Sequence, residues 1–120
     1  MNGFGGMVQE EIIRNLQVTT KEAFRLEISL RFNGKSVEAN TVAAKASELS
    51  QQLDVLLQEP AYHAVEPPEK IVVDIAQANA SLQSSISQIE TGVAIAENAV
   101  KAIGCVDDVL VIATKITKTG

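Results

Sequence analysis

From Val72 to Ile103 the chain keeps a seven-residue apolar rhythm. Val72, Ile75, Asn79, Leu82, Ile86, Ile89, Val93, Ala96, Val100 and Ile103 alternate by threes and fours, and Asn79 is the one polar member. Such a rhythm describes a continuous apolar seam along one helix, and a seam of that kind needs another helix to cover it. Ala39, Val42, Ala46, Leu49, Leu53 and Leu56 repeat the spacing just upstream. The two stretches are therefore expected to fold onto each other as a long antiparallel, coiled-coil-like helical hairpin.

Local signals set the bounds. The first long helix is expected from about Val37 to Gln58, with Ser36 as its N-cap and Glu38 in the favourable first turn; Pro60 prevents continuation. The second is expected from about Glu69 to Ile103, opened by Pro67 and Pro68 and closed by Gly104 at the C′ position. At ~1.5 Å per residue these are roughly 33 and 50 Å long, a mismatch that a break at Gly92 would remove. The rhythm carries through Gly92 unchanged, which favours an unbroken helix.

Two stretches read as strands. Phe24, Leu26, Ile28, Leu30 and Phe32 alternate with Arg25, Glu27, Ser29 and Arg31, the pattern of a strand buried on one face. Asn33-Gly34 then reads as a strand-to-helix turn. Val109 to Thr117 is apolar on both parities in its first half, as in a strand covered on both sides. Upstream, Val8, Ile12, Ile13 and Leu16 recur at helical spacing on a stretch, Val8 to Gln17, too short to stand alone. The expected fold class is α+β in β-α-α-β order: the hairpin, a small antiparallel sheet at its base, a short N-terminal helix, and a tip loop over residues 59–69. Residues 1–7 read as a flexible leader and 8–120 as one domain.

Within the second helix, Ala78, Ser85, Gly92 and Ala99 form a row of small residues at seven-residue spacing. Small side chains let a neighbouring helix approach closely, inside the hairpin or from another subunit. Asn79 in the seam is either a polar residue near a solvated tip or a selector of helix register, and the first reading is preferred.

Composition restricts the function. With 46% hydrophobic residues in 120, the chain can bury a core without disulfides or metals. The net charge of −5, the absence of Trp and 3% aromatics argue against nucleic acid as a ligand. Glu97, Lys101, Asp107 and Asp108 interrupt the most apolar stretch, so no membrane span is expected. The opening residues lack a basic start followed by an apolar run, so no Sec-type signal is expected; the compartment stays open between cytoplasm and export by a signal-less route.

No catalytic constellation emerges. The single Cys105 lies in an apolar stretch and reads as a small buried thiol. His63, the only histidine, sits in the tip loop far from it. Asp107-Asp108 reads as a polar turn before a strand, and Asp74 has no acid partner at helical spacing. No metal, cofactor or enzymatic activity is expected. Candidate contact residues are Pro60, Tyr62, His63 and Pro67 in the tip loop, since a stiff loop presenting a tyrosine suits a binding hot spot, together with Ala78, Ser85 and Gly92 of the small row. The expected role is a non-enzymatic interaction or assembly component, a homo-oligomer with the dimer as default, with a compositional flavour of bacterial or phage structural and secretion-associated proteins. The alternative is a small acidic chaperone, adaptor or immunity protein binding one cognate partner.

Overall fold

Four stretches of the chain, not two, carry a buried row spaced by threes and fours. The computed structural model describes residues 3–58 and 67–117, with side chains from Gln9 onward. These residues form α1 (Gly3–Phe32), α2 (Ser36–Gln58), α3 (Pro68–Glu90) and α4 (Ile95–Thr117), and no strand occurs among them. The buried rows are Ile12, Leu16, Thr19, Ala23, Leu26 and Leu30 on α1; Ala39, Val42, Ala46, Leu49 and Leu56 on α2; Ile75, Asn79, Leu82, Ile86 and Ile89 on α3; and Ala99, Ala102, Val106, Val109, Ala113 and Ile116 on α4. Four such seams close on one another as an all-helical bundle.

The α+β expectation is thereby overturned. Phe24 to Phe32 is the last part of a 30-residue helix. Its alternation is also a helical pattern: Leu26 and Leu30 lie one turn apart on the inward row, and Phe24, Ile28 and Phe32 lie one turn apart on the outward face. Continuity decides between them, because Leu26 and Leu30 extend the row that begins at Ile12, whereas a strand would need a hydrogen-bonded neighbour. The short N-terminal helix is absorbed into the same element. Val109 to Thr117 likewise ends α4, with Val109, Ala113 and Ile116 buried at helical spacing and Val111 exposed.

The expected unbroken helix to Ile103 ends at Glu90. Gly92 adopts φ +79°, its N–H donates to the Ile89 carbonyl at 3.0 Å, and the Val93 N–H donates to the Gln88 carbonyl at 2.8 Å. This pair of bonds around a left-handed C′ residue satisfies carbonyls that the helix end would otherwise leave unpaired. Gly34 repeats it after α1, with φ +74° and bonds from Gly34 to Arg31 at 3.1 Å and from Lys35 to Leu30 at 2.8 Å. Asn33-Gly34 therefore joins two helices, not a strand to a helix. Lys35, not Ser36, gives the carbonyl that accepts the first bond of α2, from Ala39 at 2.9 Å. Beyond Gly92 the buried row moves by one residue, leaving Val93, Ala96 and Val100 exposed. The original phase would have carried Asp107 into the seam; the shifted one places Val106 there. Gly104 lies inside α4 and caps nothing.

The pairing of helices also differs from expectation. α1 packs on α2 and α3, α4 packs on α3 and α2, and α1 approaches α4 across the middle. No Cα of α2 comes within 8 Å of one of α3 among the described residues, so the two stretches expected to form the hairpin lie across the diagonal. Connection length explains this. Three residues separate α1 from α2 and four separate α3 from α4, which forces antiparallel neighbours, whereas nine residues separate α2 from α3. Nine residues reach about 30 Å, enough to cross a bundle end. α1 and α3 consequently run parallel, as do α2 and α4, where Lys45 Nζ meets Asp107 at 2.5 Å and Gln52 meets Thr117.

A polar layer divides the core. Asn79, only 5% exposed, accepts at Oδ1 from the fully buried Thr19 hydroxyl at 2.5 Å and donates from Nδ2 to the Asn15 carbonyl at 3.0 Å. Asn79 is therefore deep in the bundle, not near a solvated tip. On one side of it lie Leu16, Leu49, Ile75 and Val109; on the other lie Leu26, Leu82 and Ile86 with the small residues Ala23, Ala39, Ala46, Ala99 and Ala102. Nearby, Arg25 forms a two-pronged bond to Glu90, at 2.7 and 2.9 Å, that ties α1 to the end of α3.

Three outcomes follow from this packing. Thr19→Val leaves the buried Asn79 oxygen without a donor and is expected to cost about 1–3 kcal/mol, most of it recovered when Asn79→Leu is added. Urea denaturation of the double-mutant cycle reads this, and additive effects would refute the coupling. Gly92→Ala is expected to cost about 1–2 kcal/mol from the left-handed backbone alone, since a Cβ there meets nothing within 4 Å. Gly104→Ala, inside a helix with equal space, should instead stabilise by about 1 kcal/mol; melting shifts of the same sign would contradict the turn geometry. Finally, the Arg25 guanidinium holds the Glu90 carboxyl below its ordinary range. A lowered folded-state pKa gives stability that is complete above the ordinary value and lost as pH falls through the folded one. Both side chains are more than one-third exposed, so Glu90→Gln should cost no more than about 1 kcal/mol near neutrality. The gap between variant and wild type should close at acid pH, and a gap that widened there would reverse the assignment.

Candidate interaction surface

The residues singled out by sequence do not converge. Pro60, Tyr62 and His63 lie outside the described residues. Pro67 is exposed at the N-terminal boundary of α3, with φ −57° and ψ 135°. The small row is dispersed by the break after α3: Ser85 and Ala99 are buried, Ala78 is half-buried, and Gly92 is exposed in the turn. Asp107 and Asp108 sit on α4 and form no turn; Asp107 engages Lys45 across the α2–α4 boundary.

Ala78 lines an open groove between α3 and α4 of about 480 Å³, with Asp74 and Ser81 on its own wall and Cys105, Asp108 and Val111 on the other. Asp74 is engaged by Lys70 at 2.8 Å. Burial, and then the negative charge of Asp108, push the Cys105 thiol above its usual range. It is protonated near neutral pH and a poor nucleophile. No group of three or more His, Cys, Asp or Glu side chains able to hold a metal ion occurs among the described residues.

The most distinctive surface is on α1. Its outward row begins with Glu10, Arg14, Gln17 and Lys21, all exposed, and continues as Phe24, Ile28 and Phe32, which are 48%, 69% and 89% exposed. The polarity of one face thus changes abruptly after Lys21. Beside Ile28 and Phe32, an open cleft of about 440 Å³ runs to Glu90, Thr91 and Gly92, so Gly92 does border this surface. Opposite flanks of the row carry different ion pairs. On the α3 side Arg25 holds Glu22 at 3.0 Å and Glu90; on the α2 side Arg31 holds Glu27 at 2.9 Å and Asn40 at 3.0 Å. Reading the segment as a strand hid this surface. Helical phasing from Ile12 would have revealed it, since Leu26 and Leu30 then fall inward and the two phenylalanines outward.

No described helix is long and apolar enough to cross a membrane. Comparison with protein-family models, with curated proteins and with solved structures finds no match to this chain.

Proposed function

We propose that this protein is a non-enzymatic interaction or assembly module, a four-helix bundle that presents the outward row of α1 to a protein partner. The exposure of Phe24, Ile28 and Phe32 carries the reading. Large apolar side chains in one contiguous row are unfavourable in water and mark contact sites on otherwise polar surfaces. Aromatic side chains supply the anchoring area that interfaces concentrate in a few residues. From Glu10 to Lys21 the same face is polar, so among the described residues the apolar stretch is a local surface.

The surroundings support the same reading. Arg25 and Arg31, each already paired with a carboxylate, frame the row as a polar rim. The ridge stands on a helix held by a polar core layer, an ion clamp and the closed turn at Gly34, which lowers the ordering cost of binding.

Replacing Phe24, Ile28 and Phe32 together by Gln should leave the thermal midpoint nearly unchanged, because exposed substitutions typically shift stability by no more than about 0.5 kcal/mol. Association should be lost. Affinity capture with wild type and variant in parallel, read by mass spectrometry, checks this. An identical set of captured proteins, whether copies of the chain or another partner, would reject the α1 row as the contact.

A further inference from the structure

We infer that the partner of the α1 row is a second copy of the chain, bound antiparallel through α1 on α1 with the two-fold axis at Ile28. The inference rests on the reading of that row as an interaction surface and adds the identity and geometry of what covers it.

Within Phe24–Phe32 the outer positions mirror one another about Ile28: Phe24 mirrors Phe32, Arg25 mirrors Arg31 and Leu26 mirrors Leu30, while Glu27 stands opposite Ser29. An antiparallel copy centred there sets Phe24 against Phe32 of the second copy, Ile28 against Ile28, and Phe32 against Phe24. An i, i+4, i+8 row of this kind forms a ridge, and its mirror order lets two ridges interlock along their whole length.

Charge selects the same arrangement. The two arginines are symmetric in sequence but lie on opposite flanks, Arg25 toward Glu90 of α3 and Arg31 toward Asn40 of α2. In a two-fold antiparallel contact each flank meets the same flank of its mate. Arg31 therefore approaches Glu27 and Phe24 of the second copy, while Arg25 approaches Phe32 and Ser29, and the arginines of the two copies do not face one another. The Glu27–Arg31 pair within each copy becomes half of a ring of alternating charges, and each guanidinium gains an aromatic face.

Area sets the strength. From the exposed fractions of the three side chains, the row offers about 400 Å² of surface per copy, taking about 200 Å² for a whole side chain. A stable interface of standard size covers about 800 Å² per partner. The dimer is consequently weak and concentration-dependent. Being isologous, it closes at two copies.

Cross-linking in a Cys105→Ser background, which removes the only native thiol, tests the geometry. Ile28→Cys should form a covalent dimer with itself under mild oxidation, well ahead of Val100→Cys, an equally exposed position on α4. Phe24→Cys and Phe32→Cys should link to each other when mixed, and neither should link readily to itself. Wild-type mass by sedimentation should rise with concentration from one copy to two and stop. Ile28→Cys linking no faster than Val100→Cys, and no preference for the Phe24–Phe32 mixture, would overturn the pairing; growth beyond two copies would overturn its closed symmetry. A chain monomeric at every concentration whose triple Gln variant nonetheless loses a captured partner would remove the self-pairing and leave the interaction role standing.

Discussion

Every feature of this molecule follows from the need of four apolar seams to close around one axis. None of the four can be satisfied alone: an isolated amphipathic helix of 23 or 30 residues leaves its buried row in water, and helical propensity does not compensate. Joined, the seams hide all their large side chains, and the corner position of each helix then fixes which of its faces remains wet. The outward row of α1 is exposed for that reason. Its inward row, from Ile12 to Leu30, is committed to the core, and Phe24, Ile28 and Phe32 lie on the far side of the helix.

The turns and the polar layer convert this closure into one arrangement. A tight left-handed turn at Gly34 and another at Gly92 make α1–α2 and α3–α4 antiparallel pairs, and the turn at Gly92 also shifts the phase of the seam by one residue. Asn98 reinforces it, donating to the Val93 carbonyl at 2.9 Å and to the Gln88 side chain at 3.1 Å. The layer of Thr19 and Asn79 then fixes how α1 slides against α3, because apolar rows alone pack tolerably at several offsets, while a buried amide is satisfied at only one. The Arg25–Glu90 clamp acts in the same direction at the bundle end, more weakly, since water screens it.

This geometry links packing to surface. The same 30-residue helix that contributes half of the polar layer carries the exposed phenylalanines, so the elements that lock α1 in place also hold its outer row straight. The Cys105 groove between α3 and α4 presents the Asp74 carboxylate engaged by Lys70 and a protonated thiol.

Much was legible without coordinates. The seams of α2 and of α3 up to Ile89, the start of α3 at Pro67-Pro68 and a reversal at Asn33-Gly34 follow from spacing and backbone preference, which are local properties, whereas the unbroken apolar phase through Gly92 pointed to a continuous helix that the structure does not form. The seam of α1 is interrupted in sequence because Thr19 and Ala23 are not large and apolar, so Ile12 and Leu16 read as a short separate helix while the alternation around Leu26 and Leu30 also fits a strand. The candidate site suffered the same error, since the exposure of Phe24, Ile28 and Phe32 depends on which row faces inward. Sequence determined the helix-forming periodicity of α2 and α3 and the start of α3 at Pro67-Pro68. Tertiary structure decided the phase shift after Gly92, the diagonal placement of α2 and α3, and the burial of Asn79, because these depend on which seams meet, a contest among whole-helix packings that no single window of residues encodes.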